Sequence, residues 1–281
     1  MRTFEKSHKL DYVCYDIRGP VMDEAQRMAA QGMEILKLNI GNPAPFGFRT
    51  PDKVIEKMSE NLTNTEGYSD SKGLPQAREA ILKYCKSKSI PCESIDDIYT
   101  GNGVSELITM SMQGLLNYGD EVLVPSPDYP LWTASVTLAG GTAVHYHCDE
   151  AQEWYPDIED MKKKITPKTK GIVVINPNNP TGAIMTKEEL EELVPVIIEK
   201  DLYVISDEIY AELTYGGKRH CSIGSLPGMK ERTIVINGFS KAFAMTGWRM
   251  GIAAGPAEII FHMNKIHQFT TMSCLLYTSP S

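Results

Sequence analysis

The six cysteines (Cys14, Cys85, Cys92, Cys148, Cys221 and Cys274) form no CxxC pair and no zinc-ligand spacing. A dithiol redox motif and a structural zinc site are therefore not expected, and no metal ligand set is assigned. Scattered thiols in a chain of 281 residues suit a reducing, cytoplasmic setting. No Lys/Arg-rich block offsets a net charge of −8, which argues against nucleic acid or an anionic membrane as the main partner. A local basic pocket for phosphate stays open. The first twenty residues, MRTFEKSHKLDYVCYDIRGP, lack the apolar core of a signal peptide. No run reaches the roughly 18 apolar residues of a membrane span. Repeats, low-complexity tracts and long linkers are also missing. The glycine-containing turn GNGVSEL (Gly101–Leu107) has no third glycine of a dinucleotide fingerprint. No GK[ST] follows it, so it is not a nucleotide phosphate loop either.

From about residue 95 onward, short β-branched runs alternate with longer helical patterns. The runs are 97–100, 121–124, 142–146, 171–175, 202–206, 233–236 and 250–254. Most are continuously apolar, as strands covered on both faces must be. Between them lie helical stretches. Residues 104–116 place Val104, Leu107, Ile108, Met112 and Leu115 on one face, and residues 187–200 open on a capping box, Thr186 with Glu189. Pro195 should kink or interrupt the second of these. The pattern predicts a three-layer α/β/α architecture around a mostly parallel sheet of seven strands. Earlier in the chain the reading is a helix over 21–31, a strand-like LKLN (Leu36–Asn39), a Gly/Pro turn over 41–47 and a helix over 52–62.

In open α/β sheets ligands bind outside the carboxyl ends of the strands, and four polar groups fall at such ends. GNGVSEL opens a helix, where free amides and the helix dipole favour a phosphate; alone it reads more simply as a tight turn. NPNNPTG (Asn176–Gly182) places Asn179 after a strand; alone it is loop punctuation. Asp207 follows a buried strand in SDEIY, where a carboxylate must be paired, protonated or coordinated, or else caps a helix. GFSKAFAMTGWRMG (Gly238–Gly251) brings Ser240, Lys241 and Arg249 together, although one lysine by itself is most simply a surface residue.

Taken together the four groups describe one ligand, pyridoxal phosphate (PLP). That cofactor needs a lysine amine for its aldehyde, an anion for its pyridinium nitrogen, and donors for O3′ and for the phosphate. Lys241 supplies the amine and Asp207 the anion. Asn179 and Tyr210 are placed for O3′. Ser240, Arg249 and the helix start at Gly103, Val104 and Ser105 suit the phosphate.

The order and spacing of NPNNPTG, SDEIY and SKAFAMTGWRMG resemble the class I/II aminotransferases, from about Lys9 to Ser273. YDIRGPV, LKLNIGNPAPFGF, IYTGNGVSELI and PSPDYPLW are similar to bacterial alanine (glutamate–pyruvate) aminotransferases. The resemblance implies the type I fold of PLP-dependent transferases and transamination between L-alanine and 2-oxoglutarate. It implies that Lys241 bonds the cofactor and shuttles the Cα proton, that Asp207 keeps the pyridine nitrogen protonated, and that Tyr129 stacks on the ring. Tyr68 would reach the phosphate of a neighbouring subunit, making a homodimer with its active site at the interface. Gly41 and Asn179 would contact the substrate carboxylate, with Tyr15 and Arg18 near the substrate and Arg18 a candidate for the distal carboxylate of glutamate.

The same resemblance divides the chain into an N-terminal arm with part of a small domain (1–40), a large PLP-binding domain (41–265) and the start of an interdomain connection (266–281). The last eight residues, CLLYTSPS, have no counterpart in the family from about residue 274. By the resemblance, the family's C-terminal small domain, with its carboxylate-clamping arginine, is expected to be missing. The expectation is a C-terminally truncated chain with an incomplete small domain, poor PLP binding and little turnover. Competing readings are a PLP C–S lyase of the same fold, a PLP-sensing module of a regulator, and a catalytically inactive PLP-binding fragment. The residues before Tyr15 form no basic or helix-turn-helix-like domain of the kind such a regulator's DNA-binding part would supply.

Overall fold

The computed structural model describes residues 5–13 and 19–273. Its centre is an eight-stranded sheet with strands β1 (Ile98–Asn102), β2 (Glu121–Ser126), β3 (Thr142–Asp149), β4 (Tyr155–Pro156), β5 (Thr169–Ile175), β6 (Tyr203–Asp207), β7 (Thr233–Gly238) and β8 (Met250–Ala254). The order is β1-β8-β7-β6-β5-β2-β3-β4. Pairs β2·β3, β2·β5, β5·β6 and β6·β7 are parallel. Strand β8 runs antiparallel between β1 and β7, and β4 is an antiparallel addition to β3. All seven expected runs are strands. The eighth, two residues long, is too short to show periodicity.

Neighbouring residues of the central strands point into different cores, which is why their sequences do not alternate with polar residues. Val173 and Ile175 of β5 join one apolar cluster, while Ile172 and Val174 join the other. The first cluster is closed by helices α4 (Gly103–Leu115), α5 (Leu131–Leu138) and α8 (Ala257–Gln268), through Leu107, Trp132 and Ile260. The second is closed by α6 (Ile158–Lys164) and α7 (Lys187–Glu199), through Met161 and Leu193. Helix α3 (Pro75–Ser87) packs Ile81 and Cys85 against Ile98, Val235 and Ile252.

Two local readings are settled: α7 does not break at Pro195, and LKLN is not a strand. Helix α7 keeps its Thr186–Glu189 capping box but continues through Pro195. Buried Leu190, Leu193, Val196 and Ile197 on either side of the proline hold its apolar face against the sheet. In LKLN, Leu36 and Leu38 are 70% and 77% exposed, so the alternating pattern has no sheet edge or core to dock on. Helices α1 (Pro20–Ala30) and α2 (Asp52–Asn61) fall where expected.

Strand register decides where chemistry gathers. Asn102 pairs with Met250, Gly238 with Gly251, and Asp207 with both Ile175 and Ile236. The carboxyl ends of β1, β5, β6 and β7 and the amino end of β8 therefore share one edge of the sheet. The chain progresses in opposite directions on either side of the β2/β5 junction, the kind of switch point where α/β sheets open a crevice.

Candidate active site

Asp207 is the last residue of β6 and only 3% exposed. Its Oδ2 accepts the indole N–H of Trp132 at 3.2 Å and its Oδ1 accepts the backbone N–H of Ile209 at 3.2 Å. Among the described residues no cation lies within ion-pair distance of it. Burial pushes its pKa up to about 6, against the pull of those two donors. Strand alternation sends the next side chain, Glu208, into a separate buried group. There it accepts the Ser206 and Ser222 hydroxyls at 2.8 and 2.7 Å and lies 2.9 Å from His220 Nε2.

Lys241 stands in the turn after β7. Its Nζ donates to the Gly41 carbonyl at 2.7 Å and lies 5.7 Å from the centre of the Tyr210 ring. Burial lowers its pKa, and the neighbouring Arg249 guanidinium lowers it further, while Asp207 opposes both. A suppressed lysine pKa increases the share of free amine, the form that attacks a carbonyl carbon. Burial likewise raises the Tyr210 phenol, with Asp207 and Tyr129 adding to the effect. The segment 41–50 is tied to the same turn by Thr246 Oγ1 to Asn42 Oδ1 at 3.0 Å and Thr50 Oγ1 to the Ala244 carbonyl at 3.3 Å.

Arg249 takes a left-handed backbone (φ 56°) between Trp248 and β8. Its guanidinium donates to the Thr246 and Asn102 carbonyls at 3.2 and 3.4 Å. It lies over the start of α4, where Gly103 has φ +75° and a Cβ would come within 2.6 Å of Arg249 Nη2. Across the sheet, a Cβ on Gly251 would lie 2.6 Å from the Gly103 carbonyl carbon. Both glycines are thus required by space, and at Gly103 also by backbone conformation.

The structure brings Lys241, Gly41, Tyr210, Asp207, Arg249 and Gly103 to one edge, with Val104 and Ser105 opening α4 beside them. Ser240 is buried next to Lys241, Asn179 is half-buried in the loop after β5, and Tyr129 is half-buried against the first core cluster. Tyr68 is 85% exposed and is not brought in by this chain. Tyr15 and Arg18 lie outside the described residues. Trp132 is a site residue the sequence reading passed over. The signal was there: a buried strand-end carboxylate needs an N–H donor, and PDYPLW carries an indole into the adjacent helix.

The arrangement can hold a carbonyl compound on an amine, a cation against a buried carboxylate, and an oxyanion between a guanidinium and a helix start. A family model described as aminotransferase class I and II matches residues 33–278, so the match runs past the break expected at about residue 274. The chain belongs to this family. A Haemophilus influenzae protein named glutamate-pyruvate aminotransferase AlaA is 56% identical over 259 residues, covering 91% of this chain and 64% of the relative. A Mycobacterium bovis protein named alanine aminotransferase is 51% identical over 261 residues, covering 92% of this chain and 60% of the relative. An aminotransferase structure from Escherichia coli superposes with a TM-score of 0.93 at 47% identity, over 99% of this chain and 70% of that one. The chain thus spans less than two thirds of the length of the first two relatives. Its fold is the type I fold of the PLP-dependent aminotransferases.

Proposed function

We propose that this family member is a PLP-dependent aminotransferase that exchanges an amino group between L-alanine and 2-oxoglutarate. The observation that carries the reading is the uncompensated Asp207 carboxylate, whose buried charge calls for a cationic ring nitrogen. The other donors fit the same molecule: a suppressed amine at Lys241, a phenol at Tyr210, and a glycine cradle under Arg249 that any Cβ would fill. When bound, PLP supplies an electron sink that stabilises negative charge at the substrate Cα.

Lys241 would bond the cofactor aldehyde and, once displaced by substrate, take the proton from the substrate Cα. Asp207 would hold a proton on the pyridine nitrogen, with Trp132 fixing its carboxylate. Asn179 and Tyr210 would hold O3′, and Tyr129 would stack on the ring. The phosphate would lie on the amides of Gly103, Val104 and Ser105, with Ser240 and Arg249. Gly41 and Asn179 would meet the substrate carboxylate, and Tyr15 and Arg18 the rest of the substrate. Residues 41–265 would be the cofactor domain, with 1–40 an arm and 266–281 the start of a connection.

The chain would work as a homodimer, with Tyr68 reaching the partner's phosphate site. The exposed apolar side chains of the first 70 residues, among them Leu36, Leu38 and Phe48, favour burial against a second copy. No helix among the described residues is long and apolar enough to cross a membrane; a cytoplasmic location fits this reading. The amino-acid specificity follows the names of the relatives rather than any contact in the site. Borohydride reduction in the presence of PLP should leave a phosphopyridoxyl group on Lys241, and alanine with 2-oxoglutarate should yield pyruvate. Label on a different lysine would overturn the site, and turnover of another amino acid in preference to alanine would overturn the substrate.

A further inference from the structure

The start of α4 has an unusual cap. Asn102 is the N-cap residue, yet its side chain makes no capping bond. Glu106, one turn into the helix, instead reaches back: its Oε2 accepts the backbone N–H of Asn102 at 2.5 Å. The Asn102 carbonyl, on the other side of that residue, accepts from Arg249 Nη2 at 3.4 Å. One residue of the turn is therefore held from both sides, by a carboxylate below and a guanidinium above. Gly101 leaves the room for this, because a Cβ there would come within 2.9 Å of Glu106 Oε2.

Glu106 is itself anchored. Its Oε1 lies 3.6 Å from Nδ1 of His267, near the end of α8. His267 is 1% exposed, packs edge-on against Tyr99 of β1 with ring centres 5.3 Å apart, and has Thr271 Oγ1 within 2.9 Å of its Nδ1. Burial pushes the Glu106 carboxyl up, but His267, the Asn102 amide and Thr271 together outweigh it and hold the group below the ordinary carboxylate range. An acidic residue in a first helical turn usually needs no explanation beyond the helix dipole. Here its two oxygens are committed to particular partners on different elements.

We propose that Glu106 is a positioning residue for the cofactor's phosphate: it sets the Asn102–Ser105 turn and links that turn to α8 through His267. The inference rests on the phosphate reading given under Proposed function. A side chain that acts only by stabilising the helix would affect PLP and pyridoxal alike, since the two differ in the phosphate. A residue that sets the phosphate turn would affect PLP alone.

The test compares cofactor-free wild-type protein with Glu106→Asp and Glu106→Gln, titrated with PLP and separately with pyridoxal. Aspartate keeps the charge but is one methylene too short to reach the Asn102 amide; glutamine keeps both reach and an acceptor oxygen. Loss of that acceptor should weaken PLP by about tenfold or more in Glu106→Asp, with pyridoxal changed less than about twofold. Glu106→Gln should stay within about threefold of wild type for PLP, because a neutral acceptor still satisfies the amide. If Glu106→Asp does not fold, Glu106→Met, similar in volume and without the acceptor, takes its place with the same expected result. Equal losses of PLP and pyridoxal, or a shortened side chain that binds PLP as tightly as wild type, would overturn the proposal. Wild-type protein that binds neither compound would instead overturn the cofactor reading beneath it.

Discussion

Replacing Asp207 by asparagine should stabilise the cofactor-free protein while crippling its chemistry. Burial raises this carboxyl from 3.8 to about 6, a shift of about two pH units. That corresponds to about 3 kcal/mol of folding stability lost when the charge is forced into the interior at neutral pH. The folded state binds the proton more tightly than the unfolded chain does. The cost is thus complete above about pH 6, shrinks as pH falls through the folded pKa, and is gone below the unfolded value. Asparagine removes the charge but has one acceptor oxygen where Asp207 uses two, for Trp132 and Ile209. One buried N–H is left facing an amide NH2, costing about 1–2 kcal/mol. The net expectation is a gain of about 1–2 kcal/mol at pH 8. At pH 5 the charge penalty is roughly halved, and the two proteins should be nearly equal. Denaturant unfolding of both proteins at the two pH values, without PLP, reads this directly. With PLP the order should reverse, and transamination in the variant should fall by several orders of magnitude, about 4 kcal/mol or more. A relative stability that does not move between pH 8 and pH 5 would refute the buried-charge argument.

Gly103→Ala should cost about 1–2 kcal/mol from its left-handed backbone and should lower PLP affinity more than stability, because the new methyl meets the Arg249 guanidinium; thermal melts and cofactor titration separate the two effects. Thr186→Ala removes the hydroxyl that accepts the Glu189 amide at the start of α7 and should cost about 1 kcal/mol in urea unfolding. Arg18→Ala should slow the glutamate half-reaction and spare the alanine half-reaction, measured by single-turnover spectroscopy with each amino acid; equal losses would remove Arg18 from the distal-carboxylate role.

The sequence by itself determined the sheet and the ends of its strands. Runs such as GIVVI are apolar at every position because both faces of the strand are buried, and that pattern is local. The placing of Asn179, Asp207 and Lys241 just after such runs was legible for the same reason. LKLN misled because alternation makes a strand only where an edge receives it, and Leu36 and Leu38 have none here. Which residues meet was decided only by the tertiary structure. Lys241 binds the carbonyl of Gly41 across 200 residues of chain, and Trp132 caps Asp207 across 75. Glu106 was readable only as one more residue of a helix start until α8 brought His267 beside it. Local pattern records which face of an element is dry. Strand order and register decide which strand ends lie side by side, and only that brings the charged groups of separate elements to one edge.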